Sequence, residues 1–360
     1  MALYPGDPLP HMRLPSATNP NYAVDTATGR YLTTGVLGRA DDAAVLAGIE
    51  AIEASRDRFD DDHACVFGIV PDLPRWRERC QDQLPGLRWL FDADGSASRL
   101  LDADVDGSWL LLDPTLRILR KAGGPQAQSV LANVSNLPPP DRHTGGDIFA
   151  PVLLIPRIFE PDFCTALIDH YDTVGGEPSG FMREIDGVTK LMNDVRHKRR
   201  SDAYLPDGDL KDQSRARIIR RLVPQIQKAF QYTATRMERY LVACYDSETG
   251  GYFRPHRDNT TKGTAHRRFA VSINLNQDFD GGDLRFPEFG SRTYRPPLGG
   301  AVVFSCSLLH EATPVTRGKR YAFLPFLYDE DAARIRQENL PFLDPALIGH
   351  SGAVEPDAPA

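Results

Sequence analysis

Two histidine-x-aspartate triplets are the residues of this chain whose type and spacing most directly suggest metal chemistry. One runs from His170 to Asp172 within a helical pattern, and the other runs from His256 to Asp258 at the start of a strand-rich segment. Side chains two residues apart point roughly 200° apart on a helix, whereas on a strand they share a face. The spacing therefore predicts that the His256 imidazole and the Asp258 carboxylate converge on one metal ion.

A third metal ligand is expected from another strand. His310 is the best-placed residue because it directly follows the apolar residues Ala301–Phe304 and Leu308–Leu309. Two histidines and one carboxylate leave coordination positions open, as in non-haem Fe(II) oxygenases, and these positions admit a bidentate 2-oxo acid and then O2. From the triplet alone, a histidine at a strand edge beside a solvated aspartate remains the alternative.

Arg320 is the residue expected to bind an acidic co-substrate. It lies ten residues after His310, beyond a turn at Thr316–Gly318 and at the start of another strand. A guanidinium group there can bind the distal carboxylate of a 2-oxo diacid through two hydrogen bonds. Lys319 competes for this role, but its side chain is expected on the opposite strand face. A solvated arginine is the alternative for Arg320.

The first part of the chain alternates strand and helix patterns. Cys65–Val70 and Trp109–Leu112 are apolar runs typical of buried strands, and Asp41–Ser55 has helical spacing. This alternation predicts an α/β layer around a central sheet. Asn136–Gly146 has three prolines and two glycines without periodicity, which indicates a linker. The tryptophans, which all lie before this linker, are expected in a core.

The second part of the chain begins with helical patterns, including a long one over Gln213–Val242. From Tyr252 to Leu327 short strands alternate with Gly/Pro turns, which predicts a sandwich or jelly roll. We therefore predict an α/β domain at 1–135, a Pro/Gly linker at 136–148, a metal-site domain at 149–330 and a partly mobile extension at 331–360.

Several motifs between Gly251 and Tyr321 resemble, in order and spacing, those of the prolyl 4-hydroxylase-like Fe(II)/2-oxoglutarate oxygenases. They are Gly251–Asp258, Leu275–Asn276, Gly281–Phe286, Pro297–Phe304 and the segment from His310 to Tyr321. Weaker similarity reaches back to Pro151 and to Arg200–Leu205. The resemblance implies an α+β double-stranded β-helix (a cupin-like jelly roll). It also implies iron bound by His256, Asp258 and His310, with 2-oxoglutarate held by Arg320.

The sequence departs from the family pattern at one position. The family usually has a tyrosine that contacts 2-oxoglutarate three residues before the first ligand histidine, and this chain has Phe253 there. Tyr245 and Tyr252 are the candidates to replace it. Tyr252 faces the other way on a strand, so Tyr245 is the preferred one.

Residues 1–135 resemble a peroxiredoxin/thioredoxin-like domain. The similarity lies in Pro5–Pro10, Gly68–Asp72, Leu90–Gly95 and Trp109–Asp113. In that family the reactive cysteine opens the first helix, where the helix N-terminus lowers the thiol pKa. The corresponding segment, Thr33–Asp42, contains no cysteine. We expect a non-catalytic domain that recruits substrate, mediates oligomerisation or shields the oxygenase; a merely stabilising appendage is an equal alternative.

Composition limits the partners and the location of the protein. A net charge of −7 over 360 residues argues against a nucleic-acid backbone as the main partner. No run of about 18 apolar residues exists, so we expect no membrane span. The first ten residues lack the pattern of a secretory signal. Five scattered cysteines indicate reduced thiols and a cytoplasmic protein. A homodimer is one arrangement that we consider.

The resemblance implies an oxidoreductase, an Fe(II)- and 2-oxoglutarate-dependent dioxygenase that hydroxylates a C–H bond with O2 and ascorbate. A prolyl or other residue of a peptide or protein is one candidate substrate, and a free amino acid or small metabolite is the other. A binding protein with a vestigial oxygenase site is the alternative of another class. We expect the basic run Arg196–Arg200 to be solvated, with an anionic substrate as its alternative. We expect His266 in a surface turn.

Overall fold

The computed structural model describes residues 2–37, 42–103, 106–347 and 358–359. These residues form two compact units. One contains the chain up to Ala150 together with Pro287–Ser291, and the other contains Pro151–Phe286 and the chain from Arg292 onward. Residues 136–148, for which we predicted a linker, belong to the first unit. Among the described residues we find no helix that combines the length and the apolar character needed to cross a bilayer.

The first unit is an α/β layer around a five-stranded sheet. The unit contains a short pair of strands, β1 (Arg13–Leu14) and β2 (Tyr22–Ala23). The five strands of the main sheet are β3 (Tyr31–Val36), β4 (Ala64–Pro71), β5 (Leu87–Asp92), β6 (Ser108–Leu112) and β7 (Ile118–Gly123). Its helices are α1 (Asp42–Ala54), α2 (Pro74–Arg79), α3 (Ser96–Leu100) and α4 (Ala127–Asn133). The sheet order is β5-β4-β3-β6-β7, in which β3, β4 and β5 are parallel and the other pairs are antiparallel. Trp76, Trp89 and Trp109 are buried in the core, as expected.

The second unit is built mainly from antiparallel strands. Before the metal triplet they are β8 (Leu153–Ile155), β9 (Glu177–Pro178), β10 (Phe181–Ile185), β11 (Val188–Met192), β12 (Lys198–Arg199), β13 (Ser201–Tyr204), β14 (Arg236–Glu238) and β15 (Leu241–Asp246). From the triplet onward they are β16 (Tyr252–His256), β17 (Phe269–Asn274), β18 (Phe279–Gly281), β19 (Leu284–Arg285), β20 (Thr293–Tyr294), β21 (Ala301–Ser305), β22 (His310–Ala312), β23 (Val315–Phe323), β24 (Phe326–Tyr328) and β25 (Ala358–Pro359).

Two sheets of this unit supply the residues of interest. The smaller has the order β12-β16-β22-β19-β20, and the larger includes β24, β17, β23, β15 and β13 as successive neighbours. Side chains of both sheets meet in one apolar cluster, which contains Tyr245 from the larger sheet and Phe253 and Ala312 from the smaller. A second cluster, with Ile273, Val303 and Phe323 at its centre, is completed by helices of the unit.

The helices of the second unit correct one prediction. They are α5 (Pro161–Val174), α6 (Asp209–Arg217), α7 (Val223–Phe230) and α8 (Glu330–Asn339), with a π-helical turn at Ile218–Leu222 between α6 and α7. The predicted helix over Gln213–Val242 is therefore wrong beyond Phe230. Gln231 ends α7 in a left-handed conformation at φ 53°, and Pro224, which has no amide hydrogen, lies where α7 begins after the π-helical turn.

The C-terminal extension is helical where it begins. The Asp329 side chain caps α8 by accepting a hydrogen bond from the amide of Ala332. The buried Arg336 then donates to the hydroxyl group of Tyr328, at 2.9 Å. The part of the extension that we predicted to be mobile falls largely on residues 348–357 and 360, which lie outside the described residues.

Gly281 ends β18, which pairs with the strand that carries Arg320, and it gives a test of the fold. Gly281 has a φ of 70°, and an added Cβ atom would overlap the carbonyl oxygen of Pro314. Gly187 has a φ of 76° with open space around it. Changing either residue to alanine should lower the free energy of unfolding by about 1 kcal/mol, because alanine is unfavourable in the left-handed backbone conformation.

We expect Gly281→Ala to lower the free energy of unfolding by at least about 1 kcal/mol more than Gly187→Ala, because the overlap must be relieved by moving backbone. Urea unfolding followed by circular dichroism measures both variants. Equal losses in the two variants would show that the turn is not packed against Pro314 as described.

Candidate metal centre

The pairing of β16 with β22 brings the two histidines together. The strands are antiparallel, with His256 directly opposite His310, and a bulge separates this pair from the next one at Phe253. Bulges of this kind redirect side chains next to functional sites. Asp258 lies just beyond the end of β16, where its amide donates to the carbonyl of Cys306 at 3.0 Å. Its carboxylate is therefore placed by a turn, and not by the strand alternation that we predicted.

The three side chains converge on one point. Each of His256, Asp258 and His310 offers a ligand atom, and the three atoms lie within 4.8 Å of one another. Nε2 of His310 is 3.3 Å from one carboxylate oxygen of Asp258, and Nε2 of His256 is 3.6 Å from the other. Among the described residues, these three form the group of three or more histidine, cysteine or acidic side chains whose ligand atoms could hold one metal ion.

Backbone carbonyls fix the orientation of both imidazole rings. Nδ1 of His256 is 2.8 Å from the carbonyl oxygen of Arg254, and Nδ1 of His310 is 3.0 Å from that of Leu308. An Nδ1–H group that donates to a carbonyl leaves the Nε2 lone pair free to bind a metal. The donor set, two imidazole nitrogens and one carboxylate, suits a divalent transition metal.

Burial and mutual charge set the protonation states of two members of the triad, His256 and Asp258. Burial, reinforced by His310, lowers the pKa of His256 to about 4. Burial alone would raise the pKa of Asp258, but His310 and His256 outweigh it and hold that pKa below its usual range. At neutral pH His256 is thus neutral and Asp258 is ionised, and these are the forms that ligate metals.

Arg320 lies in the wall of the same cavity as the triad. It is 2% exposed. Its Nε donates to the side-chain oxygen of Asn274 at 3.1 Å, and its Nη2 donates to the hydroxyl of Ser272 at 2.7 Å. Burial lowers the pKa of Arg320, although an arginine remains protonated in proteins. Lys319 points to the other face of β23, where its ammonium group lies 3.2 Å from the Asp246 carboxylate.

The two candidate tyrosines lie in different places. Tyr245 is buried and lines the cavity, with the guanidinium carbon of Arg320 5.3 Å from its ring centroid. Tyr252 donates its hydroxyl group to the carbonyl of Val195 at 2.7 Å and does not line the cavity. Our inclusion of Tyr252 as a co-substrate ligand is corrected, because its side chain points to the opposite strand face. Phe253 stacks on His256, with ring centroids 3.4 Å apart.

The basic run contains two buried cations, so the expected solvated run is wrong for part of its length. Lys198 is 6% exposed, and only 4% of the Arg200 side chain is exposed. These two residues alternate with Arg199, whose guanidinium group reaches the carbonyl of Thr249 at the surface. Strand alternation through residues 198–202 is the sequence signal that would have separated the buried cations from the exposed ones.

His266 also differs from its expectation as a surface turn residue, because it is buried against Glu238. Nε2 of His266 is 3.1 Å from one oxygen of Glu238, and Nε of Arg267 donates to the other at 2.6 Å. Arg267 also donates to the backbone carbonyl of Asp258, at 3.5 Å. This buried cluster thus supports the turn that carries Asp258, and a histidine three residues before strand β17 gave no sign of it.

The other triplet forms no metal site. Nε2 of His170 lies 3.0 Å from the carbonyl oxygen of Tyr204. The Asp172 carboxylate instead accepts a hydrogen bond from the hydroxyl of Tyr321 at 3.1 Å. Both residues lie on α5, where their different directions follow from the helical period.

Residues 240–328 match the family described as the 2OG-Fe(II) oxygenase superfamily. A PKHD-type hydroxylase of Synechococcus sp. is 28% identical over 132 residues, which cover 34% of this chain and 58% of that protein. A PKHD-type hydroxylase of Pseudomonas fluorescens is 37% identical over 91 residues, which cover 23% and 39%. The chain thus spans little more than half the length of the first of these relatives. The match confirms the resemblance of this segment to the 2-oxoglutarate oxygenases.

Solved structures similar to this chain include a Pseudomonas putida prolyl-4-hydroxylase, with a TM-score of 0.39 and 21% identity, covering 52% of this chain and 96% of that one. They also include a putative thiol:disulfide interchange protein DsbE from Chlorobium tepidum. Its TM-score is 0.32 and its identity 16%, and the similarity covers 38% of this chain and 97% of that one.

The Glu238 cluster predicts a pH-dependent stability. Burial alone would raise the pKa of Glu238, but Arg267 and His266 outweigh it and hold the pKa well below its usual value. A carboxyl whose pKa is lower in the folded state stabilises the fold above its unfolded pKa of about 4.3, and this stabilisation is lost as the pH falls. Removing one partner of such a buried cluster costs about 3–5 kcal/mol.

We therefore expect Glu238→Gln to lower the free energy of unfolding by about 3 kcal/mol at pH 7, with a difference from the wild type that shrinks below pH ~4. Denaturant unfolding across this pH range measures the effect. Glu330→Gln, at an exposed ion pair with Arg236, is the control and should cost less than about 1 kcal/mol. A Glu238→Gln deficit that stays constant down to acidic pH contradicts the assignment.

Proposed function

We propose that this protein is an Fe(II)- and 2-oxoglutarate-dependent dioxygenase whose iron is held by His256, Asp258 and His310. The observation that carries the proposal is the convergence of these three ligand atoms within 4.8 Å, in a cavity that also contains the buried Arg320. The family match over residues 240–328 supports it. We further propose that the antiparallel sheets of the second unit form the double-stranded β-helix of that family.

The residues present suit this group chemically. Three protein ligands leave coordination positions for a bidentate 2-oxo acid and O2. When bound, the iron supplies the chemistry by which O2 converts 2-oxoglutarate to succinate and CO2 and hydroxylates a substrate C–H bond. Ascorbate would serve as the reductant that keeps the iron ferrous.

Arg320 is the residue that we propose to bind the distal carboxylate of 2-oxoglutarate. Ser272 and Asn274 each accept one of its N–H groups and so fix the plane of the guanidinium group. A fixed guanidinium binds a carboxylate with little further loss of conformational entropy. Tyr245 lies beside it in the cavity wall, and we propose that it takes the place of the family tyrosine that is absent at Phe253.

Aromatic side chains surround the two proposed histidine ligands. Phe253 stacks on His256, and the Phe304 ring centroid is 4.5 Å from that of His310. These apolar contacts keep water from the imidazole faces and hold both rings in place. The carbonyls of Arg254 and Leu308 hold the Nδ1 protons. Each histidine is thereby oriented before any metal binds.

We propose that the first unit carries no thiol chemistry. Burial raises the pKa of Cys65, and it raises the pKa of Cys80 to about 12. A thiol with a raised pKa supplies little thiolate, which is the reactive form. The roles that remain for this unit are substrate recruitment, oligomerisation, shielding of the oxygenase or stabilisation of the chain.

The ligand assignment predicts a spectroscopic result. Fe(II) and 2-oxoglutarate added without oxygen should give the wild type a weak visible charge-transfer band. We expect His256→Ala to lose this band, since removing an oriented ligand should weaken iron binding by more than the 10- to 100-fold typical of outer-shell changes. His170→Ala, in the other triplet, is the matched control and should keep it. An unchanged band in His256→Ala would refute the assignment.

The co-substrate assignment predicts a change in 2-oxoglutarate affinity. Arg320→Gln removes a charge-assisted pair, which is worth about 1.5–3 kcal/mol. The 2-oxoglutarate concentration that gives half of the band should therefore rise roughly 10- to 100-fold. Lys319→Gln is the control, because its side chain lies on the outer face of the same strand. The assignment fails if Lys319→Gln has the larger effect.

A further inference from the structure

Two arginines besides Arg320, namely Arg200 and Arg239, lie in the cavity wall. Lys198, Arg200 and Arg239 surround one carboxylate, Asp202. Nη2 of Arg200 and Nη2 of Arg239 lie 2.6 and 3.2 Å from the same oxygen, Oδ2, of Asp202. Among the described residues no other carboxylate forms an ion pair with either arginine. The group, which we call the Asp202 cluster, therefore holds more positive than negative charge.

The chain holds these side chains inward at some conformational cost. Lys198, Arg200 and Asp202 occupy alternate positions along β12 and β13, so they share one face. Arg239 joins β14 to β15 with a φ of 68°. This left-handed conformation is unfavourable for a residue other than glycine, and in native structures such strain is concentrated at functional sites.

The Asp202 cluster has unused hydrogen-bonding capacity. The Nε groups of Arg200 and Arg239 are buried without a hydrogen-bond partner, as is Oδ1 of Asp202. Only 4% of the Arg200 side chain and 15% of the Arg239 side chain are exposed. Buried donors are normally satisfied, so an unpartnered guanidinium N–H group in a cavity wall points to a ligand that accepts from it.

Both arginines line the same cavity as the three proposed metal ligands. Tyr245 connects the cluster to the co-substrate residue, because Arg200 donates to its hydroxyl group at 3.4 Å and Arg320 lies beside its ring. Apolar side chains complete this part of the wall, with the Arg239 guanidinium carbon 5.6 Å from the centroid of Phe326. The cavity therefore has a second position for an anion, beside Arg200 and Arg239 and separate from Arg320.

Charge balance indicates what this site binds. Under the proposed function, the two positive charges of Fe(II) and the one of Arg320 are balanced by the two negative charges of 2-oxoglutarate and the one of Asp258. Arg200, Arg239 and Asp202 then leave one uncompensated positive charge. Lys198, which donates to the Ser179 hydroxyl and the Gly180 carbonyl, does not reduce this excess in either protonation state. A buried charge without a counter-ion is unfavourable, so one more anion is required.

We propose that the substrate carries a carboxylate group that binds to Arg239 and Arg200, which leaves its C–H bond to face the centre formed by His256, Asp258 and His310. This proposal rests on the proposed function and narrows its substrate class. The arginine side chains are almost enclosed, so the carboxylate belongs to a small acid or a free amino acid, and not to a side chain within a folded protein. Arg239 and Arg200 are thus specificity-determining residues, distinct from Arg320.

The test compares an acid with its matched amide on the full-length chain. The protein is loaded with Mn(II), which prevents turnover, and with saturating 2-oxoglutarate, and is titrated calorimetrically with propionate and with propionamide at constant ionic strength. We expect propionate to bind at least about 10-fold more tightly, because only the acid makes charge-assisted bonds to the arginines. Equal binding of acid and amide overturns the proposal.

Variants assign the difference to the cluster. Arg239→Gln should weaken propionate binding at least about 10-fold, and Arg239→Lys should restore part of it. Arg199→Gln, at the exposed residue of β12 next to Arg200, is the matched control and should have no effect. Asp202→Asn should act in the opposite direction and tighten propionate binding, because it removes the anion that competes for both arginines. No loss in Arg239→Gln overturns the proposal.

The same titrations separate this proposal from the proposed function. If Arg239→Gln weakens 2-oxoglutarate binding and leaves propionate binding unchanged, the cluster serves the co-substrate and the proposal is wrong. If the wild type fails to bind 2-oxoglutarate but binds propionate through Arg239, the proposed function alone fails. With Fe(II) under air, free amino acids should raise succinate release more than their amides do. Stimulation only by neutral peptides with blocked ends overturns the proposal.

Discussion

The antiparallel pairing of β16 with β22 is the constraint on which the rest of the site depends. It sets His256 opposite His310, next to a bulge in β16, and the carbonyls of Arg254 and Leu308 hold the two rings in place. Asp258 reaches that point only because the turn after β16 is tied to the carbonyl of Cys306 and supported by Arg267. A slip of one residue in this register would send one histidine to the opposite face and dismantle the triad.

The second constraint is charge in a nearly enclosed space. A buried carboxylate beside two imidazoles is stable when a cation joins them, and a buried arginine is stable when an anion joins it. The cavity contains both arrangements, with Asp258 in the triad and Arg320 in the opposite sheet, where it pairs with Tyr245 across β15 and β23. An iron ion together with a dicarboxylate satisfies both. This mutual need is why the metal proposal and the co-substrate proposal stand together.

Much of the site could be predicted from local sequence, and the remainder depended on pairing between distant strands. The helical period rejected the His170 triplet, and strand alternation predicted the buried Arg320 beside the exposed Lys319, whereas Asp258 is placed by the turn that follows β16. Alternation along the basic run separates Lys198 from Arg199, but which of the two faces is buried depends on the pairing with β16 and on the contact of Lys198 with Ser179. Likewise, His266 is buried by contacts with Glu238 and Tyr328, which lie on strands distant in the sequence.

The central claim is that one divalent metal binds between His256, Asp258 and His310. Crystals of the full chain grown with Mn(II), measured at a wavelength where manganese scatters anomalously, test it most directly. The account predicts one strong anomalous peak within coordination distance, about 2.0–2.3 Å, of Nε2 of both histidines and of an Asp258 oxygen. A peak at other residues, or none at a manganese concentration that saturates binding in solution, would contradict it.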